Sequence, residues 1–290
     1  MIPAKRSVTL VGAGRLAGFL APALVAAGYK ISEIVAQPQG PSLRRARILA
    51  RQVHARAATA RTAALDASVL WLAVPDGQIC RAALELAQRT EALGQRHRLR
   101  FAFHSSGALA SVELGPLRHA GLAVASVHPL MTFVGGPTPQ LSGVPFAIEG
   151  DRTAVNLALA VVKKFGGEGF VLAPHFKPAY HAWATMTSPL LLAYLVTLER
   201  AARQAKLSRK QARRMALPIL RQTLNNYIQV GSAKSFTGPF VRGDVATVEK
   251  HLSLLKRNPL VKSVYMALAR VALDGLPVKN RARLISLLGH

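Results

Sequence analysis

The stretch "SVTLVGAGRLAGFL", residues 7–20, reads as a β-strand, a glycine turn and the opening of a helix. The turn has the form G-x-G-x-x-A: Gly12, Ala13, Gly14, Arg15, Leu16 and Ala17, with Gly18 next. Glycine at 12 permits a tight turn, and glycine at 14 lets a pyrophosphate come close to the backbone. A small residue at 17 allows helix and strand to pack closely, so that the helix N-terminus and its unpaired N–H groups face the phosphates. The string gains weight because the chain beyond it goes on alternating strands and helices.

Working outward, β-rich runs occur at Ser7–Val11, Ile31–Ala36, Val69–Val74, Arg100–His104, Ala123–His128, Pro145–Glu149 and Gly169–Leu172. Helical periodicity fills the gaps at Leu16–Ala27, Leu43–His54, Ile79–Leu86 and Thr153–Phe165. Unbroken apolar strands alternating with helices predict an α/β, Rossmann-like, doubly wound and mostly parallel sheet. After Pro174 the strand signals stop. Long helical stretches follow at Pro178–Ala205, Arg209–Val230, Val245–Leu254 and Pro259–Leu273, with Pro189 expected to kink the first. The pattern therefore predicts a nucleotide-binding domain over 1–172 and an all-helical substrate or dimerisation domain over 173–290. Pro and Gly gather at Gly135–Pro139 and at Gly238–Gly243.

Of the 290 residues half are apolar, and 38 Lys and Arg against 13 Asp and Glu give a net charge of +25. Such an excess favours anionic partners: nucleotides, acidic metabolites, nucleic acid or lipid surfaces. Cys80 is the single cysteine, which excludes an intrachain disulfide and suits a reducing cytoplasm. With few carboxylates and no His-x-x-x-His pair, no metal site is expected. Lys5 and Arg6 ahead of an apolar run resemble a secretory signal, but Gly12, Gly14 and Arg15 interrupt that run. The apolar run Ala184–Leu198 is shorter than the roughly 20 residues that a membrane span needs.

An acidic residue at the end of the second strand would hold the ribose hydroxyls of NAD. Gln37 stands there instead, followed by Ser42, Arg44 and Arg45. A carboxylate would repel a 2′-phosphate, whereas guanidinium groups bind one, so the reading favours NADP over NAD. Val74, Pro75 and Asp76 end the third strand, where ligands of doubly wound sheets lie. Asp76 is equally suited to capping the next helix.

These strings stand in order with "HSSGAL" at 104–109, "SVHPLMTF" at 126–133, "KPAYHAWA" at 177–184 and "TGPFVRGDVATVEKHL" at 237–252. The ordered set resembles the family of Rossmann-like proteins with a C-terminal domain of unknown function, DUF2520. That family is similar in architecture to pyrroline-5-carboxylate reductase and to the 6-phosphogluconate and β-hydroxyacid dehydrogenases. The resemblance covers nearly the whole chain. It implies an NADP-binding domain, a helical domain that often dimerises, and a cleft between them where a small-molecule substrate is oxidised or reduced. It leaves the substrate open. Relatives commonly carry Ser-Asn where this chain has Ser188–Pro189, so any contact made by that Asn is in doubt.

Hydride transfer needs a proton donor or acceptor beside the reacting carbon's oxygen or nitrogen. Lys177 and His181, at i and i+4, share a helix face. By the resemblance, Lys177 is the acid/base and His181, where the dehydrogenases have Asn, is its orienting partner. Lys177 suits that role if burial or neighbouring positive charge lowers its pKa; the plainer alternative has it pointing into solvent. Ser105, Ser106 and Gly107 follow the fourth strand and resemble a substrate-binding Ser-Gly turn. His128 ends the next strand, while Thr237 and Arg242 lie on a loop able to meet an anion. Asp244 has the character of an N-cap. Two other classes remain open: a non-catalytic NADP(H) sensor, and a polyanion binder using the basic run from Arg200 to Arg214. No RNA-recognition string or aromatic stacking platform supports the second.

Overall fold

The computed structural model describes residues 7–134 and 141–289. The Lys5–Arg6 pair and the Gly135–Pro139 stretch lie outside the described residues. The chain divides into two compact units, one running to Thr185 and one starting at Met186.

In the first unit, eight strands form one sheet: β1 Ser7–Val11, β2 Lys30–Val35, β3 Arg56–Ala58, β4 Val69–Leu72, β5 Phe101–His104, β6 Ala123–Pro129, β7 Pro145–Gly150 and β8 Glu168–Val171. Their spatial order is β3-β2-β1-β4-β5-β6-β7-β8. The first six run parallel, β7 turns antiparallel to β6, and β8 runs parallel to β7. The strand order reverses between β1 and β4, and such a switch point opens a crevice at the carboxyl ends. The helices of this unit are α1 Arg15–Ala26, α2 Pro41–Gln52, α3 Ile79–Leu93, α4 Gly115–His119, α5 Arg152–Lys164 and α6 Lys177–Thr187.

Burial explains the strands. In β4, Val69 and Trp71 pack into the apolar layer shared with α1, α2 and α5, while Leu70 and Leu72 pack into the layer shared with α3 and α4. Both faces are covered, so the strand reads as an unbroken apolar run. Each such buried side chain contributes about 1.5–3 kcal/mol. The sheet alone would not distinguish one ligand from another; the loops at its carboxyl edge do that.

Seven of the eight strands match the runs seen in the sequence. The eighth, β3, escaped because Arg56, Ala57 and Ala58 carry neither branching nor alternation, and the segment forms only a short edge. The division into units falls within the last turn of α6, some way beyond the point where the strand signals stop, and Lys177 and Tyr180 of α6 are buried in the first unit.

The second unit holds α7 Pro189–Ala202, α8 Arg209–Ser235, α9 Pro239–Arg242, α10 Val245–Leu255, α11 Pro259–Gly275 and α12 Arg281–Leu288. The stretch expected as one kinked helix is two: Ser188 has φ −126° and ψ −72°, and Pro189 opens α7 as its first residue. Proline is preorganised for that position, whose N–H would have no helical partner. Within α8, Gly231 at φ 75° breaks the helix just after Val230. Val248, Leu252, Ala269, Leu273, Leu284 and Leu288 join α10, α11 and α12 in one small core. Asp244 caps α10, accepting from the Thr247 N–H at 3.0 Å. In contrast, α8 buries only Ala212, and Met215, Ile219, Leu224, Tyr227 and Ile228 are exposed. Among the described residues no helix is long and apolar enough to cross a membrane.

Candidate functional site

At the switch point a cavity of about 1210 Å³ opens beyond the carboxyl ends of β1, β2 and β4. Gly12, Ala13 and Gly14 form one wall. Gly12 has φ +104°, and a Cβ there would lie 2.4 Å from the Ala73 carbonyl oxygen, so only glycine fits. Gly14 differs: a Cβ on it would meet nothing within 4 Å. Ala17, wholly buried, seats α1 on the sheet. The residues therefore fit a dinucleotide: the protein leaves open the side of Gly14 that a pyrophosphate would pack against.

Gln37, Ser42, Val74 and Pro75 also line this cavity, as the sequence predicts. Arg15 and Leu16 sit on the first turn of α1, and Asp76 is exposed beyond Pro75; none of the three lines the cavity. Asp76 makes no capping bond to the short turn or helix that comes after it. Both arginines of α2 are exposed, and it is Arg45 that lines the cavity while Arg44 lies outside the lining. The i, i+3 relation between Ser42 and Arg45 is the signal that singles Arg45 out. Arg61, after β3, and Arg81 and Arg89 of α3 also line the cavity. Arg61 was missed with β3 and Arg89 with the second half of α3, whereas Arg81 lies within the helical stretch seen in the sequence but was not read as facing the cavity. Cys80, exposed, stands on the first turn of α3 beside Arg81.

Further along the same sheet edge, the chain after β5 forms a turn held from all sides. The Ser106 N–H donates to Nδ1 of His104 at 3.1 Å, which leaves the proton on Nε2 to be donated to the Ala110 carbonyl at 3.0 Å. Burial lowers the His104 pKa to about 4, so the ring stays neutral. The Ser106 hydroxyl accepts from the Leu109 N–H at 2.9 Å. Ser105 accepts from the Trp71 indole N–H at 2.9 Å. Behind the turn, Glu149 of β7 is 2 % exposed and accepts from the N–H and the hydroxyl of Ser111, at 2.7 and 2.8 Å.

Lys177 reaches this turn from α6. It is 1 % exposed, and its Nζ donates to the Ser106 carbonyl at 3.0 Å and to the Ser126 hydroxyl at 2.7 Å. Burial lowers its pKa to about 8, against the opposing pull of the negative charges on Glu149 and Asp76. The side chain points inward rather than into solvent. One turn along α6, Tyr180 hydrogen-bonds His128 Nδ1 through its hydroxyl at 2.8 Å. Burial raises the Tyr180 pKa to about 12. Burial, then the charge of Lys177, lowers the His128 pKa to about 4. His181 lies on the same face with its ring 6.4 Å from that of His128, and both rings crowd Gly107. A Cβ at Gly107 would lie 2.7 Å from His181 Cδ2 and 2.8 Å from His128 Nε2.

The turn thus brings together Ser105, Ser106, Gly107, His128, Lys177 and His181. His104 and Glu149 complete it: His104 through its near neighbours Ser106 and Ala110, and Glu149 through Ser111, 38 positions away in the chain. Thr237 and Arg242 are exposed in the helical unit, Arg242 at the end of α9. In the basic run, Arg209 and Arg213 both pair with Glu199. Among the described residues no group of three His, Cys, Asp or Glu side chains is placed to hold a metal ion.

Residues 1–129 match the family model of a Rossmann-like domain, and residues 144–272 match that of the domain of unknown function DUF2520. No curated protein matches the chain. Among solved structures, it resembles the candidate NADP oxidoreductase BF3122 of Bacteroides fragilis, with a TM-score of 0.72 and 19 % identity over 92 % of this chain and 97 % of that one. Protein TM1727 of Thermotoga maritima gives 0.71 and 23 % identity over the same shares. The imine reductase of Myxococcus stipitatus, solved with NADP+, gives 0.65 and 15 % over 98 % of this chain and all of the other. At these identities the likeness is one of fold.

Proposed function

For a chain that joins a Rossmann-like domain to DUF2520, we propose an NADP(H)-dependent oxidoreductase acting on a small anionic carbonyl, imine or hydroxy acid. The observation that carries it is the cavity at the switch point, walled by a glycine turn whose Gly14 faces open space and flanked by arginines rather than an acid at the end of β2. Gly12–Gly14 hold the pyrophosphate there, and Ser42 and Arg45 the adenosine end. Bound in that position, the nicotinamide supplies or takes up a hydride.

The second region supplies proton handling. His181 is half-buried over Gly107 and meets the substrate, while Ser105 and Gly107 seat its anionic group. Lys177, already engaged by two protein acceptors, acts from behind: it fixes the Ser106 carbonyl and the Ser126 hydroxyl and lends its positive charge to the turn that seats the substrate's anionic group. A limb near pH 8 in the rate profile, absent from Lys177→Met, is the expected mark of that role. The exposed apolar side chains of α7 and α8 support a homodimer through the helical unit, in the cytoplasm that the single thiol suits.

The test is twofold. NADPH and NADH are titrated by fluorescence, and NADPH oxidation is followed across imines and ketones, with NADP+ reduction followed across β-hydroxyacids. Failure to bind either dinucleotide sinks the reading. Tight NADPH binding without turnover on any substrate favours a sensor instead, a reading that the burial of Lys177 supports.

A further inference from the structure

The turn after β3 plays no part in the reading above, yet it is the most heavily fastened segment bordering the cavity. Glu33 of β2, 2 % exposed, accepts from the Ala64 N–H at 3.0 and 3.1 Å and from the Leu65 N–H at 3.0 Å, and it pairs with Arg56. Arg56 in turn donates to the Thr62 carbonyl at 3.1 Å, and Arg89 to the Ala63 carbonyl at 2.8 Å. Thr59 and Thr62 close the turn on itself, the Thr59 N–H donating to the Thr62 hydroxyl at 3.0 Å. Leu65, wholly buried, is held at φ 54°, a left-handed conformation that a leucine keeps only where its surroundings enforce it.

The residue that this framework presents is Arg61. It is exposed, lines the cavity together with Ser42 and Arg45, and takes part in none of the ion pairs among the described residues. Glu85, the one acidic residue lining the cavity, is paired with Arg81 at 3.0 Å. The N-terminus of α2, with Ser42 on its first turn, adds unpaired N–H groups on the same side. A guanidinium fork on a braced turn, lining the same cavity as a second arginine and a residue of a helix's first turn, suits a compact dianion far better than a neutral hydroxyl.

We propose that Arg61 is the specificity-determining residue for the cofactor, closing together with Arg45 on the 2′-phosphate of the adenosine ribose. This rests on the dinucleotide reading of the cavity. The framework around Glu33 holds the turn in place before the ligand arrives, so little ordering is left to the binding step.

The experiment is calorimetry on the full chain at fixed ionic strength, with NADPH, NADH, adenosine 2′,5′-bisphosphate and adenosine 5′-monophosphate as titrants. Arg61→Ala, a change at an exposed position, weakens NADPH and the bisphosphate by about tenfold or more, the scale of a lost charge-assisted bond, and leaves NADH and the monophosphate within about twofold. Arg61→Lys, keeping the charge without the fork, falls between. Wild-type protein that binds NADPH, with Arg61→Ala unchanged, overturns the assignment of Arg61. Wild-type protein that binds neither dinucleotide overturns the underlying reading instead. An equal loss for NADPH and NADH overturns the assignment of Arg61 as well, since Arg61 would then serve the shared part of the cofactor.

Discussion

Two regions of one sheet edge are built on opposite principles. At the β1–β4 switch point the wall is backbone, and what matters is the side chains that are missing: Gly12 has no room for a Cβ, while Gly14 has room that the protein leaves empty. At the end of β5 and β6 the wall is buried polar side chains, with His104, Ser126, Glu149 and Lys177 each satisfied by a partner. The first region is a shape for a ligand common to many proteins of this fold. The second is a hydrogen-bonded frame whose displacement by a single group would leave others buried and unpaired, a costly state. Under the proposed function, that difference separates a generic cofactor end from a rigid, particular substrate end.

The backbone wall is challenged most directly at Gly12. Gly12→Ala forces a left-handed φ onto alanine and a Cβ against Ala73, and a loss of about 4 kcal/mol is expected in urea unfolding. A stable Gly12→Ala protein would show that the wall is not tight. The polar frame is probed by acid. His104 has its folded pKa lowered from 6.5 to about 4, so its contribution is fully present above pH 6.5 and is lost as pH falls toward and through 4. That shift corresponds to about 3 kcal/mol, and denaturation midpoints measured between pH 7 and 4 should fall accordingly. His104→Asn should flatten that part of the profile; an unchanged slope would remove His104 from the frame.

The acid sensitivity expected of His104 comes from its burial, which the string "HSSGAL" does not show, and much else in the frame was equally hidden. Spacing along the chain reports backbone features, and the glycine turn, seven strands and the i, i+4 pair Lys177–His181 are of that kind. Partners brought together by the sheet leave no such trace. Nothing near Ser111 in sequence announces Glu149, 38 positions away, and nothing near Lys177 announces Ser126, 51 away. The sequence offered Arg44 and Arg45 alike, and only the i, i+3 spacing from Ser42 favours Arg45, whereas the bracing of Arg61 depended on β3, an edge strand with no β-like composition. Pro189 carried a real signal, a change in the helix path, but its place at a helix start depended on Ser188 leaving the helical conformation.

Two smaller effects separate the regions further. Gly107→Ala should cost about 1–2 kcal/mol in thermal or urea unfolding as His128 and His181 are pushed aside, and turnover should fall further than stability. Equal losses in both would make Gly107 a packing residue only. Gly14→Ala is the smallest in stability, within about 0.5 kcal/mol of wild type, yet NADPH affinity should drop at least about tenfold. A Gly14→Ala protein that binds NADPH normally would show that the pyrophosphate lies elsewhere.

Cys80 has a practical consequence. It is the chain's single thiol, exposed on the opening turn of α3, and its neighbours Gln78 and Arg81 line the cavity. An environment-sensitive fluorophore attached there would label the protein once, at a known place, without any engineered cysteine. Its emission would report, in real time and independently of any substrate, whether the space beside α3 fills when a nucleotide is added.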